Sequence, residues 1–171
     1  MIRLGVDIPV VDTGRIVLRE PRLGDLDDLA AYFADPRSRY NGGPLVLHET
    51  GRMLMMALGQ WMARGHGMWH ITLHGEDRFI GFAGIYHPVD WPEPELGYGI
   101  AAAHEGKGLA YEAAEAARAA AARHFGLTGL PSYIAPDNAR SQALARRMGA
   151  LPEPDIVLRG NTARVFRHPV E

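Results

Sequence analysis

The sequence predicts an α/β (α+β) fold, a mixed, mostly antiparallel twisted sheet of about six to seven strands flanked by about four helices. Short runs rich in β-branched and aromatic residues recur along the chain, and other segments repeat apolar residues at helical spacing. Most connections are short and contain Gly, Pro or Asp, as in hairpins. One alanine-rich segment that begins near residue 109 is long enough to be a helix that crosses the sheet between two strands.

The first half of the chain predicts two helices and four strands. Residues 15–20 form the first strand, and Asp25 is the expected N-cap of a helix that stops at Asp35-Pro36. A second helix is expected from about Glu49 to Arg64, before a glycine. The other three strands are expected at 69–73, 79–86 and 95–101.

The second half predicts two helices and three strands. The alanine-rich helix carries acidic residues early and basic residues late, and Gly126 follows its end, which suits the helix dipole and a C-cap. A strand at 132–135 then leads into a helix at 139–148. A hairpin around Gly160-Asn161 closes the chain, with strands at 156–159 and 163–168.

Composition limits the class of protein. The 171 residues suit one domain, 1–171, and a net charge of −2 gives no support for nucleic acid or an anionic membrane as the main partner. The chain has no cysteine, which excludes a cysteine acyl-enzyme and a thiolate metal site and fits a reducing compartment. Arg3, Asp7 and Pro9 interrupt the first residues, so no signal peptide is expected, and no run is long enough to span a membrane. We therefore expect a cytoplasmic protein, monomeric or homodimeric.

The turn at Gly106-Lys107-Gly108-Leu109-Ala110 is the most informative motif. A strand that begins at Glu95 leads into this turn, and the turn opens directly into the alanine-rich helix. Free backbone N–H groups and the positive end of a helix dipole meet there, which favours a phosphate. Small residues at 106, 108 and 110 let a ligand approach the backbone. The motif predicts a site for the diphosphate of a nucleotide-type cofactor.

The run Glu105-Gly-Lys-Gly-Leu-Ala110 resembles the acyl-coenzyme-A pyrophosphate loop of GNAT-superfamily N-acetyltransferases, whose pattern is Gln/Arg-x-x-Gly-x-Gly/Ala. The wider run is similar to the RimJ/RimL-like branch, and the likeness spans roughly residues 13–168. Supporting segments occur in the family's order: 15–19, 69–71, 80–84, 138–141 and 147–149. Glu105 departs from the pattern, because an acid there adds no attraction for a diphosphate.

The resemblance implies a GNAT fold and acetyl-coenzyme A as the cofactor. The residues expected to bind it are Ile100, Ala101, Ala102, Gly106, Lys107, Gly108, Leu109, Ala110, Asn138 and Ser141. Asn138 would contact the pantetheine arm and also cap a helix, and Ser141 would lie near the sulfur. The side chains of Lys107 and Arg140 are either phosphate counter-charges or solvated surface cations.

Acetyl transfer to an amine needs a base, a group that polarises the carbonyl and a proton donor for the thiolate. Glu95 is the candidate base, although a solvent-exposed acid at the edge of a strand is the competing interpretation. Backbone N–H groups near Ile100 to Ala102 are candidates for polarising the carbonyl, and Ser141 is the candidate donor, with Tyr133 a weaker one. Because there is no cysteine, direct transfer in a ternary complex is favoured. The acceptor would be a protein N-terminal α-amine or a small-molecule amine.

The sequence also allows other interpretations. A non-catalytic acyl-coenzyme-A-binding module is the main one, because of Glu105 and the uncertain base. A dinucleotide-binding protein is less favoured, because about four strands precede the glycine motifs. His66, His70 and His74 recur every four residues, but their segment has strand character and lacks a carboxylate cluster, so no metal site is predicted.

Overall fold

The computed structural model describes residues 5–170. Eight strands and four α-helices occur within that range. The helices are α1 Leu26–Ala34, α2 Leu47–Arg64, α3 Leu109–Phe125 and α4 Ala139–Arg147. The strands are β1 Val11–Asp12, β2 Ile16–Arg19, β3 Met68–Leu73, β4 Gly81–Tyr86, β5 Glu95–Ile100, β6 Pro131–Ile134, β7 Leu151–Leu158 and β8 Asn161–Arg167.

The strands form two antiparallel sheets. Five strands pair in the order β1-β2-β3-β4-β5, and three pair in the order β6-β8-β7. No ladder of hydrogen bonds joins β5 to β6 in the described residues. Side chains bridge the two strands instead, for example where Ser132 Oγ donates to the Leu96 oxygen at 2.7 Å. We call this opening between β5 and β6 the split.

Small side chains let α3 lie close against the five-stranded sheet. Ala113, Ala114, Ala117 and Ala121 belong to α3 and are fully buried. In the same core, Trp61 of α2 and Trp69 of β3 meet edge to face, with ring centroids 5.0 Å apart. Both indoles are fully buried and anchor the core, because aromatic side chains bury the largest apolar areas. This packing fixes the position of the turn that precedes α3.

The structure confirms the predicted class of fold and corrects two strands. The two-residue β1 was not predicted, and it pairs with β2 through Val11 and Leu18. The strand predicted at 156–159 instead begins at Leu151. Prolines 152 and 154 are tolerated there because β7 is an edge strand, and its register with β8 is irregular between Glu153 and Ile156.

Asp25 does not cap α1 as expected. Its side chain makes no capping bond to α1 and is buried. The carboxylate instead accepts a hydrogen bond from Arg19 Nη2 at 2.6 Å, and it lies 2.6 Å from His70 Nδ1. Burial acts to raise the pKa of the Asp25 carboxyl, but the bonds from His70 and Arg19 outweigh it and hold the pKa well below its ordinary value. The residue is part of a buried ionic network that ties α1 to β2 and β3.

Candidate active site

A cleft of about 950 Å³ opens beside the end of β5. One wall is the C-terminal part of β5 and the turn that leads into α3. The opposite wall is the start of α4, and the segment that follows α1 closes one side. The predicted site residues that line it are Ile100, Ala101, Ala102, Gly106, Gly108, Leu109, Ala110, Asn138 and Ser141.

Free backbone N–H groups surround the turn before α3. The N–H groups of Gly106 to Tyr111 find no backbone acceptor among residues 5–170, and no side chain caps the helix at Gly108. Gly106 and Gly108 have φ of 73° and 77°, a left-handed conformation that favours glycine, and an added Cβ at either would meet no atom within 4 Å. The turn therefore presents unpaired donors and an open surface at the positive end of α3.

The Lys107 side chain turns away from the cleft. Its Nζ donates to the Ala103 oxygen at 3.1 Å, and its own carbonyl accepts from Arg15 Nη2 at 2.9 Å. The residue is absent from the cleft lining. Of the two interpretations of the Lys107 side chain, the structure favours a surface cation over a phosphate counter-charge, because the ammonium group bonds to a local carbonyl.

Glu105 lies at the rim of the cleft between two arginines. Its Oε2 is 2.9 Å from Arg140 Nη2 and 3.3 Å from Arg37 Nη1. Sequence reasoning nominated Arg140 but missed Arg37, which lies 68 residues away from Glu105 along the chain. No local pattern connects two residues at that separation.

One of the three backbone amides predicted to polarise a carbonyl is already used. The Ala101 N–H donates to the Ile80 oxygen at 2.8 Å, so the expectation of a free donor at 101 is wrong. Because successive residues of a strand face opposite neighbours, the main-chain groups of Ile100 and Tyr98 point away from β4, toward the split. Gly99 lies between them, and a Cβ there would be 2.4 Å from the Tyr32 hydroxyl oxygen. A side chain at that position would require the Tyr32 and Phe82 rings to shift.

Asn138 and Ser141 lie together at the start of α4. The Asn138 Oδ1 accepts the Ser141 N–H at 3.2 Å and caps the helix, as capping residues do. The Tyr98 hydroxyl donates to the Ser141 carbonyl oxygen at 3.1 Å and so connects β5 to α4. Tyr98 also lines the cleft, and burial raises the pKa of its phenol. Sequence reasoning did not nominate it as a functional group.

Glu95 is buried rather than exposed to solvent at a strand edge. Oε1 accepts the Trp91 Nε1–H at 3.0 Å, and Oε2 accepts the Tyr133 N–H at 2.8 Å. Burial raises the pKa of the Glu95 carboxyl to about 8, although both hydrogen bonds oppose that shift. Glu95 does not line the cleft, and no hydrogen bond joins it to Ser141 in residues 5–170. The two candidate catalytic side chains are therefore not in one network.

Aromatic rings surround Glu95 on its side of the split. Trp91 meets Tyr86 edge to face at 5.4 Å between centroids, and Arg159 lies 4.8 Å from the centroid of the Trp91 ring. The Tyr133 hydroxyl donates to Glu93 Oε1 at 3.2 Å and does not face the cleft, which weakens its case as a proton donor. Trp91 and Tyr133 therefore both contact the buried Glu95 carboxylate, through an indole N–H and a backbone N–H.

Two further properties of the described chain bear on the class of protein. Within residues 5–170, no group of three or more His, Asp or Glu side chains is placed to hold a metal ion. Over the same residues, none of the helices has both the length and the apolar character required to cross a membrane.

The cleft fits an acyl-coenzyme-A cofactor. Unpaired amides at Gly106 to Ala110 suit a diphosphate, and the open space at Gly106 and Gly108 leaves room for it. The arginines beside Glu105 add positive charge at the rim. The fold and this loop together define an acyl-coenzyme-A-dependent acyltransferase.

Comparison with known proteins identifies the family. Residues 15–151 match the family described as Acetyltransferase (GNAT) domain. The acetyltransferase from Agrobacterium tumefaciens is 35% identical, with a TM-score of 0.86 and 98% of each chain covered. The chain therefore belongs to the GNAT acetyltransferase family; it is an acyltransferase, and its cofactor is acetyl-coenzyme A.

Two other solved structures share the fold. A GNAT-family protein from Bordetella pertussis is 25% identical, with a TM-score of 0.80 and 94% of this chain and 99% of that chain covered. RimL, a ribosomal L7/L12 α-N-protein acetyltransferase in complex with coenzyme A, is 16% identical, with a TM-score of 0.77 and 95% of this chain and 98% of that chain covered. At that identity the likeness to RimL is one of fold.

Proposed function

We propose that this protein transfers the acetyl group of acetyl-coenzyme A directly to a primary amine in a ternary complex. The observation that carries the proposal is the set of unpaired amides at Gly106 to Ala110, which open onto the same cleft as Tyr98 and Ser141. When bound, the cofactor supplies the acetyl thioester. With no cysteine in the chain, a cysteine acyl-enzyme is excluded and direct transfer is the simplest route.

Backbone groups do most of the cofactor binding in this proposal. The amides of Gly106 to Ala110 would hold the diphosphate, assisted by the dipole of α3. Asn138 and Ser141, at the start of α4, line the same cleft and would contact the pantetheine arm. The Ile100 N–H, which points toward the split, is available to polarise the thioester carbonyl.

Glu95 acts as the general base in this proposal. Because Glu95 does not line the cleft, the proton reaches it through a water molecule. Its pKa of about 8 is close to that of an α-amine, about 7.7–8.0, so a proton passes between the two at little cost. Trp91 Nε1 and the Tyr133 N–H hold the two oxygens in place. The pocket therefore sets both the basicity and the orientation of the carboxylate.

Tyr98 and Ser141 are the candidate proton donors for the departing thiolate. Burial raises the pKa of the Tyr98 phenol, which keeps it protonated at neutral pH. Ser141 also lines the cleft, and its own backbone carbonyl accepts the hydrogen bond from Tyr98. Either group supports proton delivery from the α4 side of the cleft.

Proton chemistry and the fold shared with RimL support an acceptor amine of low pKa. A lysine amine, with a pKa of about 10.4, costs roughly 4–5 kcal/mol to deprotonate at neutral pH, whereas an α-amine is partly neutral there. A single buried carboxylate is sufficient for the α-amine. RimL, whose fold this chain shares, is an α-N-protein acetyltransferase. We therefore favour a protein N-terminal α-amine or a small-molecule amine of low pKa.

Two experiments test this proposal. Calorimetry measures the binding of acetyl-coenzyme A, and a thiol-release assay then measures turnover with a panel of N-terminal peptides and small amines. We expect micromolar binding and thiol release that depends on the amine. Binding without amine-dependent release would instead indicate a non-catalytic acyl-coenzyme-A-binding module. An absence of binding at high micromolar cofactor would remove the proposal.

A further inference from the structure

The Glu105 carboxylate is paired with two arginines, Arg37 and Arg140, whose side chains are more exposed than its own. Its side chain is 21% exposed, whereas those of Arg37 and Arg140 are 60% and 70% exposed. Both guanidinium groups approach the same oxygen, Oε2. One carboxylate therefore partly neutralises two arginines and leaves them accessible from the cleft, which both arginines line.

The three charges come from three different parts of the fold. Arg37 lies in the short 3-10 segment Pro36–Asn41 that follows α1, and Arg140 lies in the first turn of α4. Glu105 directly precedes the unpaired amides at 106–110. A second contact joins the same two flanks, since the Tyr40 hydroxyl donates to Asp137 Oδ2 at 3.0 Å. The arginines are thus held at the mouth of the cleft beside the amides.

The charges of Glu105, Arg37 and Arg140 favour the exchange of the Glu105 carboxylate for a phosphate group. Both ion pairs are solvent-accessible, and such pairs contribute little free energy, so breaking them costs little. The diphosphate of coenzyme A carries more negative charge in total than a single carboxylate, and it offers more acceptor oxygens to guanidinium donors. Either arginine would therefore prefer a phosphate placed beside the turn.

We propose that Glu105 is a resident counter-anion: it holds Arg37 and Arg140 in the free enzyme, and a phosphate group of coenzyme A displaces it from them. This inference rests on the proposed mode of cofactor binding. It assigns Arg37 and Arg140 as phosphate-binding residues and gives a physical role to the acid at 105. The Lys107 ammonium bonds to Ala103 and does not line the cleft, whereas Arg37 and Arg140 line it beside Glu105.

Titration calorimetry of coenzyme A against single variants tests the exchange. Glu105→Gln removes the competing anion, so we expect it to bind coenzyme A about three- to tenfold more tightly than wild type. Arg37→Gln and Arg140→Gln should each bind it about three- to tenfold more weakly. Pantetheine has no phosphate, and its affinity should be the same in all of these proteins. Asp155→Asn, which removes one exposed negative charge from β7, is the control for net charge.

A combination of variants separates exchange from simple repulsion. In an Arg37→Gln/Arg140→Gln background, Glu105→Gln should no longer tighten coenzyme A binding, because the arginines that it frees are gone. A gain that persists there would show that Glu105 only repels the phosphates, and that result would overturn the inference. Weaker binding by Glu105→Gln alone would also overturn it.

The inference and the proposed function fail in different ways. If wild-type protein does not bind coenzyme A, the proposed function fails and this inference fails with it. If wild type binds but Glu105→Gln gives no gain, only the inference fails. Melting temperatures of all variants, measured without ligand, show whether each one is folded.

Discussion

The Trp91 indole holds the Glu95 carboxylate through a hydrogen bond of 3.0 Å from Nε1 to Oε1. Glu95 is the first residue of β5, and its other oxygen accepts the Tyr133 N–H from β6. The carboxylate thus connects the two sheets at the point where their backbones do not pair. The residue proposed as the general base therefore also bridges β5 and β6.

Glu95→Gln should lower kcat by about 100-fold or more while leaving the Kd for coenzyme A within about twofold. The amide keeps the size of the side chain but cannot accept a proton. Steady-state kinetics and calorimetry measure the two quantities separately. Glu93→Gln is the matched control, because Glu93 lies two residues away and pairs with Arg167. An equal loss of turnover and cofactor affinity in Glu95→Gln would show that the residue is structural.

The stability of the protein should depend on pH through Glu95. Its pKa is about 8 in the folded protein against an ordinary 4.5, so the unfolded chain loses this proton first. The free energy of unfolding should therefore fall as pH rises from about 4.5 to 8, by up to about 1.4 kcal/mol per pH unit from this group.

Urea unfolding at several pH values, in wild type and Glu95→Gln, isolates this contribution. Near pH 4.5 the variant should be the less stable protein, because the amide nitrogen of glutamine cannot accept the N–H that one Glu95 oxygen accepts. The variant should gain stability relative to wild type as the pH rises to 8, because glutamine does not ionise. Parallel curves would mean that the folded pKa of Glu95 is close to its ordinary value.

Tyr98→Phe should lower kcat by about ten- to 100-fold, because it removes both a proton donor and the bond from β5 to the Ser141 carbonyl. Ser141→Ala tests the other candidate donor in the same assay of thiol release. Tyr133→Phe is the matched control, since its hydroxyl bonds to Glu93 and lies off the cleft. If Tyr133→Phe loses as much kcat as Tyr98→Phe, the proposal that the proton comes from the α4 side of the cleft is wrong.

Gly108→Ala should reduce both stability and cofactor affinity. Its φ of 77° costs a residue with a side chain about 1–2 kcal/mol, although the new methyl group would touch nothing within 4 Å. We expect a loss of that size in urea unfolding and a Kd for coenzyme A about tenfold higher. Gly75→Ala has nearly the same φ, 79°, in the connection between β3 and β4 and serves as the control. Equal Kd values for coenzyme A in the two variants would show that the turn at Gly108 does not bind the cofactor.

Local patterns in the sequence were sufficient for most of the fold. Helical spacing and terminal glycines located α2, α3 and α4 closely, since these signals act within a few residues. The early start of β7 was missed because prolines argue against a strand, and only its place at a sheet edge makes them acceptable.

The candidate site was less accessible to sequence reasoning, because its side chains depend on contacts between distant segments. The motif located the turn at 106–110, but it could not show that Lys107 folds back onto Ala103. The pairing of Glu105 with Arg37 joins two loops, and the burial of Glu95 depends on Trp91 and Tyr133. Neither relationship leaves a periodic signal in the chain.

The backbone amides of residues 106–110 are proposed to bind the diphosphate of acetyl-coenzyme A. A titration of isotope-labelled protein with coenzyme A, followed by amide NMR spectra, tests it residue by residue. We expect the largest shifts at the Gly106 and Gly108 amides, because a hydrogen bond to a phosphate oxygen strongly changes the environment of an unpaired N–H. Saturable binding that leaves both amides unshifted would contradict the account.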